Sequence, residues 1–311
     1  MDRIRKALDL ARLERAKAEP PLRRERAAFG APEKPLKFTA VPVEAFEERA
    51  KASAEATASV EAAEAAASAE QAAAAPPLTS IVYSRTRVFA PLAAHLERNC
   101  IMNPAATGGP AAAYRMLRTQ VLQRLETRGW RSIAMFSPGA EDGKTTTAIN
   151  LAVSLGIDRL HTALLVDFDF KRPTLASRFG LTPEFGVDDV LSGRAKLEDC
   201  LYHPEGYDRL VLLPARAGLD NSSEILSGPR NRELVAELRN RYKDRIILFD
   251  LPPVLSADDA LSFAPLVECG LVVAAEGSTR RNDLLRTIEL LHKIPLVGTV
   301  LNRAADAPSG Y

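Results

Sequence analysis

The feature that most constrains this chain is the segment Ser137–Thr146, which reads SPGAEDGKTT. It follows a short apolar run, Ser132–Phe136, and it runs into Gly143–Leu155, where apolar residues recur at helical spacing. A glycine-containing turn between a strand and a helix presents backbone N–H groups and the positive end of the helix dipole to an anion. The segment therefore predicts a phosphate-binding loop within an α/β domain.

Two side chains of this loop have predicted roles. Lys144 is placed to reach the β- and γ-phosphates of a nucleotide, and the Thr145 hydroxyl is placed to ligate Mg²⁺. The strict pattern GxxxxGK[ST] fails at its first glycine, where Pro138 stands. We still predict ATP binding, because acidic strand ends accompany the loop. The residues expected to contact the nucleotide are Gly139, Ala140, Glu141, Asp142, Gly143, Lys144, Thr145 and Thr146.

Carboxylates end two further apolar runs. Thr162–Val166 leads into Asp167 and Asp169, and Ile246–Phe249 leads into Asp250. Because the carboxyl ends of parallel strands meet at one edge of a sheet, we expect these carboxylates to face the phosphate-binding loop. They would hold Mg²⁺, directly or through water, and orient the attacking group. The predicted metal ligands are Thr145, Asp167 and Asp250.

The order of the predicted elements indicates the fold class. The predicted strands are Ser132–Phe136, Thr162–Val166, Leu210–Leu213, Ile246–Phe249, Gly270–Ala275 and Leu296–Leu301. The predicted helices are Tyr114–Glu126, Gly143–Leu155, Arg230–Tyr242, Ala257–Val267 and Arg281–Lys293. Alternating strands and helices predict a doubly wound, mostly parallel α/β sheet, here a P-loop NTPase domain over residues 81–305. Near its end, Asp258 and Asp259 are predicted to cap a helix.

Composition separates residues 1–80 from this domain. Asp2–Ala18 has the spacing of a basic amphipathic helix, and 14 of the 26 residues from Lys51 to Pro76 are alanine. We predict a low-complexity, partly helical and flexible N-terminal extension over residues 1–80, and a short flexible tail over residues 306–311. The basic helix either docks on a partner or an anionic lipid surface, or is simply solvated.

Charge and cysteine content exclude several classes of protein. Lys and Arg total 41 against 40 Asp and Glu, and a net charge of +1 gives no sign of a nucleic-acid partner. No apolar window is long enough to predict a transmembrane span, and the first residues lack the apolar core of a secretory signal. Cys100, Cys200 and Cys269 form no CxxC pair, which argues against a zinc site and a disulfide framework. We expect a cytoplasmic protein.

Jointly, these motifs resemble those of the bacterial tyrosine kinases, the cytoplasmic autokinases of capsule and exopolysaccharide synthesis. The resemblance rests on the loop Ser137–Thr145, on LLVDFDFKRP from Leu164 to Pro173, and on DLPP from Asp250 to Pro253. It covers about residues 81–305. Further matching segments are Tyr114–Thr119, Gly186–Gly193, Asn221–Leu226 and Gly298–Asn302.

The resemblance implies an ATP- and Mg²⁺-dependent protein-tyrosine autokinase that regulates polysaccharide polymerisation and export. It implies that Asp167 and Asp169 order the metal and help to deprotonate a tyrosine hydroxyl. Lys171 and Arg172 would stabilise charge on the transferred phosphoryl group, and Asn302 would contact the adenine. The implied catalytic residues are Lys144, Asp167, Asp169 and Asp250.

The same resemblance implies partners and a location. The activator would be the cytoplasmic tail of a membrane polysaccharide co-polymerase, a Wzz-like chain-length determinant, which would recruit the protein to the inner face of the cell membrane. The family also forms rings, so a homo-oligomer is an expectation. No nucleic-acid partner is implied.

The sequence departs from the family pattern at four places. Tyr311 is the single tyrosine of a tail that carries a tyrosine cluster in the family, so it is either a phosphate acceptor or a chance terminal residue. Ala112 replaces the glutamate of the E-x-x-R-x-x-R ring-assembly helix. Glu141 replaces a loop glycine, and Lys171 replaces an arginine.

Two other functions remain open from the sequence. A positioning ATPase of the deviant-Walker type would act as a switch, but such proteins carry a signature lysine five residues before the P-loop lysine, where this chain has Gly139. An adaptor that binds ATP and has lost phosphoryl transfer is favoured by Ala112 and by the single tail tyrosine.

Overall fold

The computed structural model describes residues 85–158, 160–216, 218–219, 222–241 and 245–304. The predicted N-terminal extension over residues 1–80 and the predicted tail over residues 306–311, which includes Tyr311, lie outside the described residues. Within the described part, every helix is too short or too polar to cross a membrane.

An eight-stranded sheet organises the described residues. Its strands in chain order are β1 (Arg87–Phe89), β2 (Ser132–Phe136), β3 (Thr162–Asp167), β4 (Tyr202–Pro204), β5 (Leu210–Leu213), β6 (Arg245–Asp250), β7 (Cys269–Ala275) and β8 (Leu296–Asn302). They lie side by side in the order β1-β4-β5-β3-β6-β2-β7-β8. All neighbours are parallel except β4 and β5. The predicted mostly parallel sheet is confirmed.

Helices cover both faces of this sheet. The α-helices are α1 (Ala93–Arg98), α2 (Pro110–Arg128), α3 (Lys144–Gly156), α4 (Leu175–Phe179), α5 (Val187–Ser192), α6 (Ser222–Ser227), α7 (Pro229–Arg241), α8 (Asp259–Phe263) and α9 (Arg281–Leu290). Successive side chains of a strand point to opposite faces. In β3, Leu164 and Val166 accordingly enter one buried cluster, whereas Ala163 and Leu165 enter a second. The sheet is therefore doubly wound, as predicted.

Three details of the sequence-based prediction are wrong or incomplete. The single helix Ala257–Val267 is instead α8 followed by a 3₁₀ turn, Ala264–Leu266. Pro265 lies at the break, because its nitrogen has no hydrogen to donate and its ring clashes with the preceding helical turn. Neither Asp258 nor Asp259 caps α8 with its side chain. The sequence patterns also miss β1 and β4, which have three residues each.

Aromatic side chains fix the ends of β3 and β6 beneath the sheet edge. In the segment after Val166, acidic and aromatic residues alternate, so Asp167 and Asp169 point one way while Phe168 and Phe170 point into the core. The Phe168 backbone N–H also donates to the Asp250 carbonyl at 2.8 Å, which extends the β3–β6 pairing past the strand end.

Four rings form what we call the aromatic cluster: Phe168, Phe170, Phe249 and Phe263. The centroid of the Phe168 ring lies 5.5 Å from those of Phe170 and Phe249, and 5.0 Å from that of Phe263 in an edge-to-face arrangement. Such pairs add to the hydrophobic gain from burial. The cluster holds β3, β6 and α8 in fixed positions relative to one another.

Replacing the central ring tests this packing. Phe168 is fully buried, so Phe168→Ala leaves a cavity, and we expect the free energy of unfolding to fall by about 3–5 kcal/mol. Leu160→Ala is the control, because Leu160 is 75% exposed and its loss is expected to change that free energy by about 0.5 kcal/mol or less. Chemical denaturation of both variants measures the difference. Equal effects would contradict the role of the cluster.

Candidate active site

The three segments singled out from the sequence converge at one edge of the sheet. Strands β3, β6 and β2 are adjacent, and the phosphate-binding loop follows β2. In the sheet register Asp167 lies directly opposite Asp250, and Asp250 lies opposite Met135 at the end of β2. The prediction that the loop and both acidic strand ends share the carboxyl edge is confirmed.

A buried ion pair connects the loop to β6. The Lys144 Nζ atom donates to Asp250 Oδ1 at 2.5 Å, and the side chains of Lys144 and Asp250 are only 6% and 2% exposed. The Thr145 hydroxyl donates to the other carboxylate oxygen, Asp250 Oδ2, at 2.6 Å. Both oxygens of Asp250 are thus occupied by the first two residues of α3.

Asp167 lies beside this pair and is held by backbone groups. Its Oδ1 accepts a hydrogen bond from the Asp169 N–H at 3.1 Å, and its Oδ2 accepts from the N–H groups of Thr174 at 3.1 Å and Leu175 at 3.0 Å. Burial raises the pKa of Asp167 most, and the negative charge of Asp250 raises it further, to about 8. The Leu175 N–H and Lys144 act in the opposite direction. Asp167 and Asp250 are thus two neighbouring buried carboxylates, of which Asp250 is paired with Lys144.

Asp169 differs from Asp167 because it faces a cavity. The cavity has a volume of about 390 Å³. Burial raises the pKa of Asp169; Lys144 opposes this, and Asp250 and Asp259 add to it. The cavity is lined by residues of the phosphate-binding loop from Ser137 to Thr145, together with Asp169, Lys171, Arg172, Thr174, Arg178, Pro252, Pro253, Ser256 and Ala257.

The loop is held in shape by Asp142, whose carboxylate is 3% exposed. Its Oδ2 accepts a hydrogen bond from the Gly139 N–H at 2.8 Å, and its Oδ1 accepts from the Thr279 hydroxyl at 2.6 Å. We predicted Asp142 as a residue that contacts the nucleotide. The structure turns its carboxylate toward the loop backbone and the segment after β7, while Asp142 also lines the cavity, so its contact with the nucleotide stays a prediction.

Asn302, the predicted adenine contact, lies against the loop. Its Nδ2 donates to the Asp142 carbonyl at 3.1 Å. The same nitrogen would lie 1.8 Å from a Cβ placed on Gly143, whose φ is +87°. Only glycine fits that position, both because of the close contact and because of the backbone conformation. The adenine contact remains a prediction.

Glu141 adopts a backbone conformation that favours glycine. Its φ is +68°, in the left-handed region, where a Cβ approaches the following carbonyl oxygen. The sequence identified Glu141 as a replacement for a loop glycine, and the positive φ supplies the physical reason for a glycine there. Its carboxylate is also exposed at the rim of the cavity.

Three residues at or near the site escape the sequence analysis. Thr279 supports Asp142 from 137 positions away, Arg178 lines the cavity and donates from Nη1 to the Thr146 hydroxyl at 3.0 Å, and Asp259 contacts Lys171. Arg178 and Thr279 belong to no sequence motif, because only the packing of distant segments brings each of them to the phosphate-binding loop. Asp259 was singled out, but for a capping role that it does not have.

Arg115 and Arg118 of α2, the arginines of the family pattern, bond to backbone carbonyls of this chain. Arg115 donates to the carbonyl of Ala106 at 2.7 Å and to that of Thr107, and Arg118 donates to the Ser154 carbonyl at 3.0 Å. Ala112 offers neither a carboxylate nor any other side-chain acceptor. Both guanidinium groups therefore contribute to local packing around α2.

The chain is similar to proteins that are named tyrosine-protein kinases, although no family model matches it. The tyrosine-protein kinase YwqD of Bacillus subtilis (strain 168) is 27% identical over 209 residues, which cover 67% of this chain and 86% of YwqD. The succinoglycan biosynthesis transport protein ExoP of Rhizobium meliloti (strain 1021) is 28% identical over 201 residues. Those residues are only 25% of ExoP, so the chain matches one part of a much longer protein.

A solved structure adds a stronger match. The crystal structure of the VpsO kinase domain is 32% identical to this chain and superposes with a TM-score of 0.56. The match covers 63% of this chain and 95% of the VpsO domain.

Substitutions at Glu141 test the conformation of the loop. At a positive φ glycine is preferred to alanine, so we expect Glu141→Gly to be more stable than Glu141→Ala by about 1 kcal/mol. Glu205 is an exposed turn residue without a positive φ, and there the glycine variant is expected to be the less stable one. Thermal and chemical unfolding of Glu141→Gly, Glu141→Ala, Glu205→Gly and Glu205→Ala show whether glycine is the more stable residue at position 141 and the less stable one at position 205. If the alanine variant were the more stable one at both positions, strain at Glu141 would be ruled out.

Proposed function

The chain belongs to the family of bacterial tyrosine kinases, and we propose that it transfers the γ-phosphoryl group of ATP to a tyrosine hydroxyl. The observation that carries this proposal is that Lys144, Thr145 and Asp169 line one cavity, while Asp250 bonds to Lys144 and Thr145. Phosphoryl transfer requires a lysine that binds phosphate, a carboxylate beside the hydroxyl that ligates the metal, and a second carboxylate that is open to the cavity.

Nucleotide binding would use the loop in the form that Asp142 gives it. Backbone N–H groups at the start of α3 face the cavity, and Lys144 exchanges Asp250 for phosphate oxygens of the nucleotide. Glu141 places a negative charge at the rim, which weakens this binding through repulsion. The loop residues predicted from the sequence, Asp142 included, remain the proposed nucleotide contacts, and the Asp142 carboxylate also supports the loop.

The donor atoms around Asp250 fit Mg²⁺, a hard cation that prefers oxygen ligands. Thr145 Oγ1 and Asp250 Oδ2 lie 2.6 Å apart, and the Asp167 carboxylate lies opposite Asp250 in the sheet register. Because Asp167 already accepts three backbone N–H groups, Thr145 and Asp250 are the main proposed ligands.

The described residues hold no group of three or more His, Cys, Asp or Glu side chains arranged for a metal. This suits an ion that takes its remaining ligands from phosphates and water. When bound, Mg²⁺ would neutralise charge on the β- and γ-phosphates.

The transfer itself needs a proton acceptor. The tyrosine oxygen forms a bond to the γ-phosphorus, the bond from that phosphorus to the bridging oxygen of ADP breaks, and the hydroxyl proton leaves. Asp169 is the proposed acceptor, because it lines the cavity and its pKa is raised by burial, which suits a general base. Lys171 and Arg172 line the same cavity and would stabilise charge on the phosphoryl group.

The cellular role is proposed from the relatives and the sequence. ExoP is named for succinoglycan biosynthesis and transport, which supports a role in exopolysaccharide or capsule polymerisation and export. We propose a cytoplasmic protein that binds the cytoplasmic tail of a membrane polysaccharide co-polymerase and thereby works at the inner face of the cell membrane. Tyr311 remains the proposed acceptor tyrosine, and self-association remains an expectation.

The adaptor is the second candidate, and one observation favours it. Arg115 and Arg118 are bonded within the chain and lack the ring-assembly glutamate at Ala112, so contact between an active site and a neighbouring tail is less well supported. The deviant-Walker switch has less support, because Gly139 occupies the place of its signature lysine and donates its N–H to Asp142.

The test is phosphorylation of the full chain with γ-labelled ATP and Mg²⁺, alone and with a co-polymerase tail peptide, followed by mass spectrometry. We expect labelled tyrosine, at Tyr311 if the tail is the acceptor, and its loss in Tyr311→Phe. Lys144→Met should reduce labelling at least about 100-fold, because it removes the phosphate-binding ammonium. Lys293→Met, which changes an exposed lysine outside the site, is the matched control and should label normally.

Two results would contradict parts of this proposal. Normal labelling of Lys144→Met would show that the site is elsewhere. ATP binding without labelled tyrosine in the unmodified chain, with and without the peptide, would identify an adaptor.

A further inference from the structure

Asp259 is a buried carboxylate that the fold does not satisfy. It is the first residue of α8, its side chain is 0% exposed, and neither of its oxygens has a hydrogen-bond partner. The nearest opposite charge is the Lys171 ammonium, whose Nζ lies 3.4 Å from Asp259 Oδ2. Burying a charge without hydrogen bonds is costly, so helix formation alone gives no reason for this residue.

Packing fixes the position of this carboxylate. Asp259 and Phe263 are four residues apart, so they lie on the same face of α8. Phe263 belongs to the aromatic cluster, which also contains Phe168 and Phe249 at the ends of β3 and β6. The core that places Asp167, Asp169 and Asp250 therefore places Asp259 as well.

The partner of Asp259 is more exposed than Asp259 itself and lines the cavity. The Lys171 side chain is 48% exposed and lines the cavity together with the phosphate-binding loop. Asp169 lies only two residues before Lys171, yet within the described part of the chain Asp169 forms no ion pair. The ammonium of Lys171 thus pairs with Asp259 of α8 and not with the proposed proton acceptor.

We propose that Asp259 is a positioning residue that holds the Lys171 ammonium at the cavity, where it faces the phosphoryl group that is transferred. The proposal rests on the kinase function proposed above and extends it to a residue outside the three motifs. A lysine has a flexible stem and a single charged atom, so it needs an external partner to fix its direction. A rigid buried carboxylate provides that partner.

Asp259 is buried whereas Lys171 is half-exposed, so replacing one or the other is expected to change the stability by different amounts. Lys171→Met leaves Asp259 buried and unpaired, so the melting temperature should fall. Asp259→Asn leaves a half-exposed lysine that water can solvate, so it should lower the melting temperature less. Adding Asp259→Asn to Lys171→Met should recover much of the loss.

Kinetics of the full chain distinguish positioning from a structural role. We expect Asp259→Asn to lower kcat about tenfold while the KM for ATP changes about twofold or less, because a displaced ammonium is lost mainly from the transition state. In the Lys171→Met background, Asp259→Asn should cause no further loss of kcat. Asp258→Asn is the matched control, since the exposed Asp258 contacts Ser223 and not Lys171.

The outcomes separate this proposal from the function on which it rests. Absence of turnover in the unmodified chain would overturn the kinase function and this inference together. Normal turnover with an unchanged kcat in Asp259→Asn, or losses that multiply in the double variant, would overturn the inference alone. If Asp259→Asn does not fold, Asp259→Ser removes the same charge with less buried volume, and the same comparison with Lys171→Met applies.

Discussion

The arrangement of the site depends on the buried ion pair between Lys144 and Asp250. A buried pair of this kind is poor evidence for stability, because desolvation offsets much of the attraction between the charges. Its effect here is positional: it fixes the start of α3 against the end of β6 at a contact of 2.5 Å, and the Thr145 hydroxyl completes the contact. Asp167 lies beside this pair, where backbone N–H groups hold it.

Charge balance at this edge connects structure with function. Asp167 and Asp250 lie opposite each other in the register, and the pKa of Asp167 rises to about 8 because of burial and of its neighbour's charge. The lysine at this edge, Lys144, bonds to Asp250. We propose on this arrangement that the edge receives a cation and a nucleotide, and that Asp259 holds Lys171 beside it.

Sequence patterns predicted the features that depend on neighbouring residues. Unbroken apolar runs gave the central strands almost to the residue, as at Ser132–Phe136, because a strand covered on both faces has no polar position. The short strands β1 and β4 carry no such run, and Pro265 divides a helix whose apolar spacing continues through it. Fold class and strand ends were therefore predictable, whereas short edge elements were not.

Contacts between distant residues limited the prediction of the site. The inward turn of Asp142 depends on Thr279, and the approach of Arg178 to Thr146 depends on where α4 packs. Neither contact leaves a local pattern in the sequence. Glu141 is the opposite case: a glycine missing from a known loop predicted a strained position, and the structure has φ at +68° there.

The most direct test of this account is a crystal structure of the chain with Mg²⁺ and a non-hydrolysable ATP analogue. We expect Lys144 Nζ to leave Asp250 Oδ1 and contact phosphate oxygens, while the metal lies beside Thr145 and Asp250. A nucleotide bound with the Lys144–Asp250 contact still at 2.5 Å, and with no phosphate near Lys144, would contradict it.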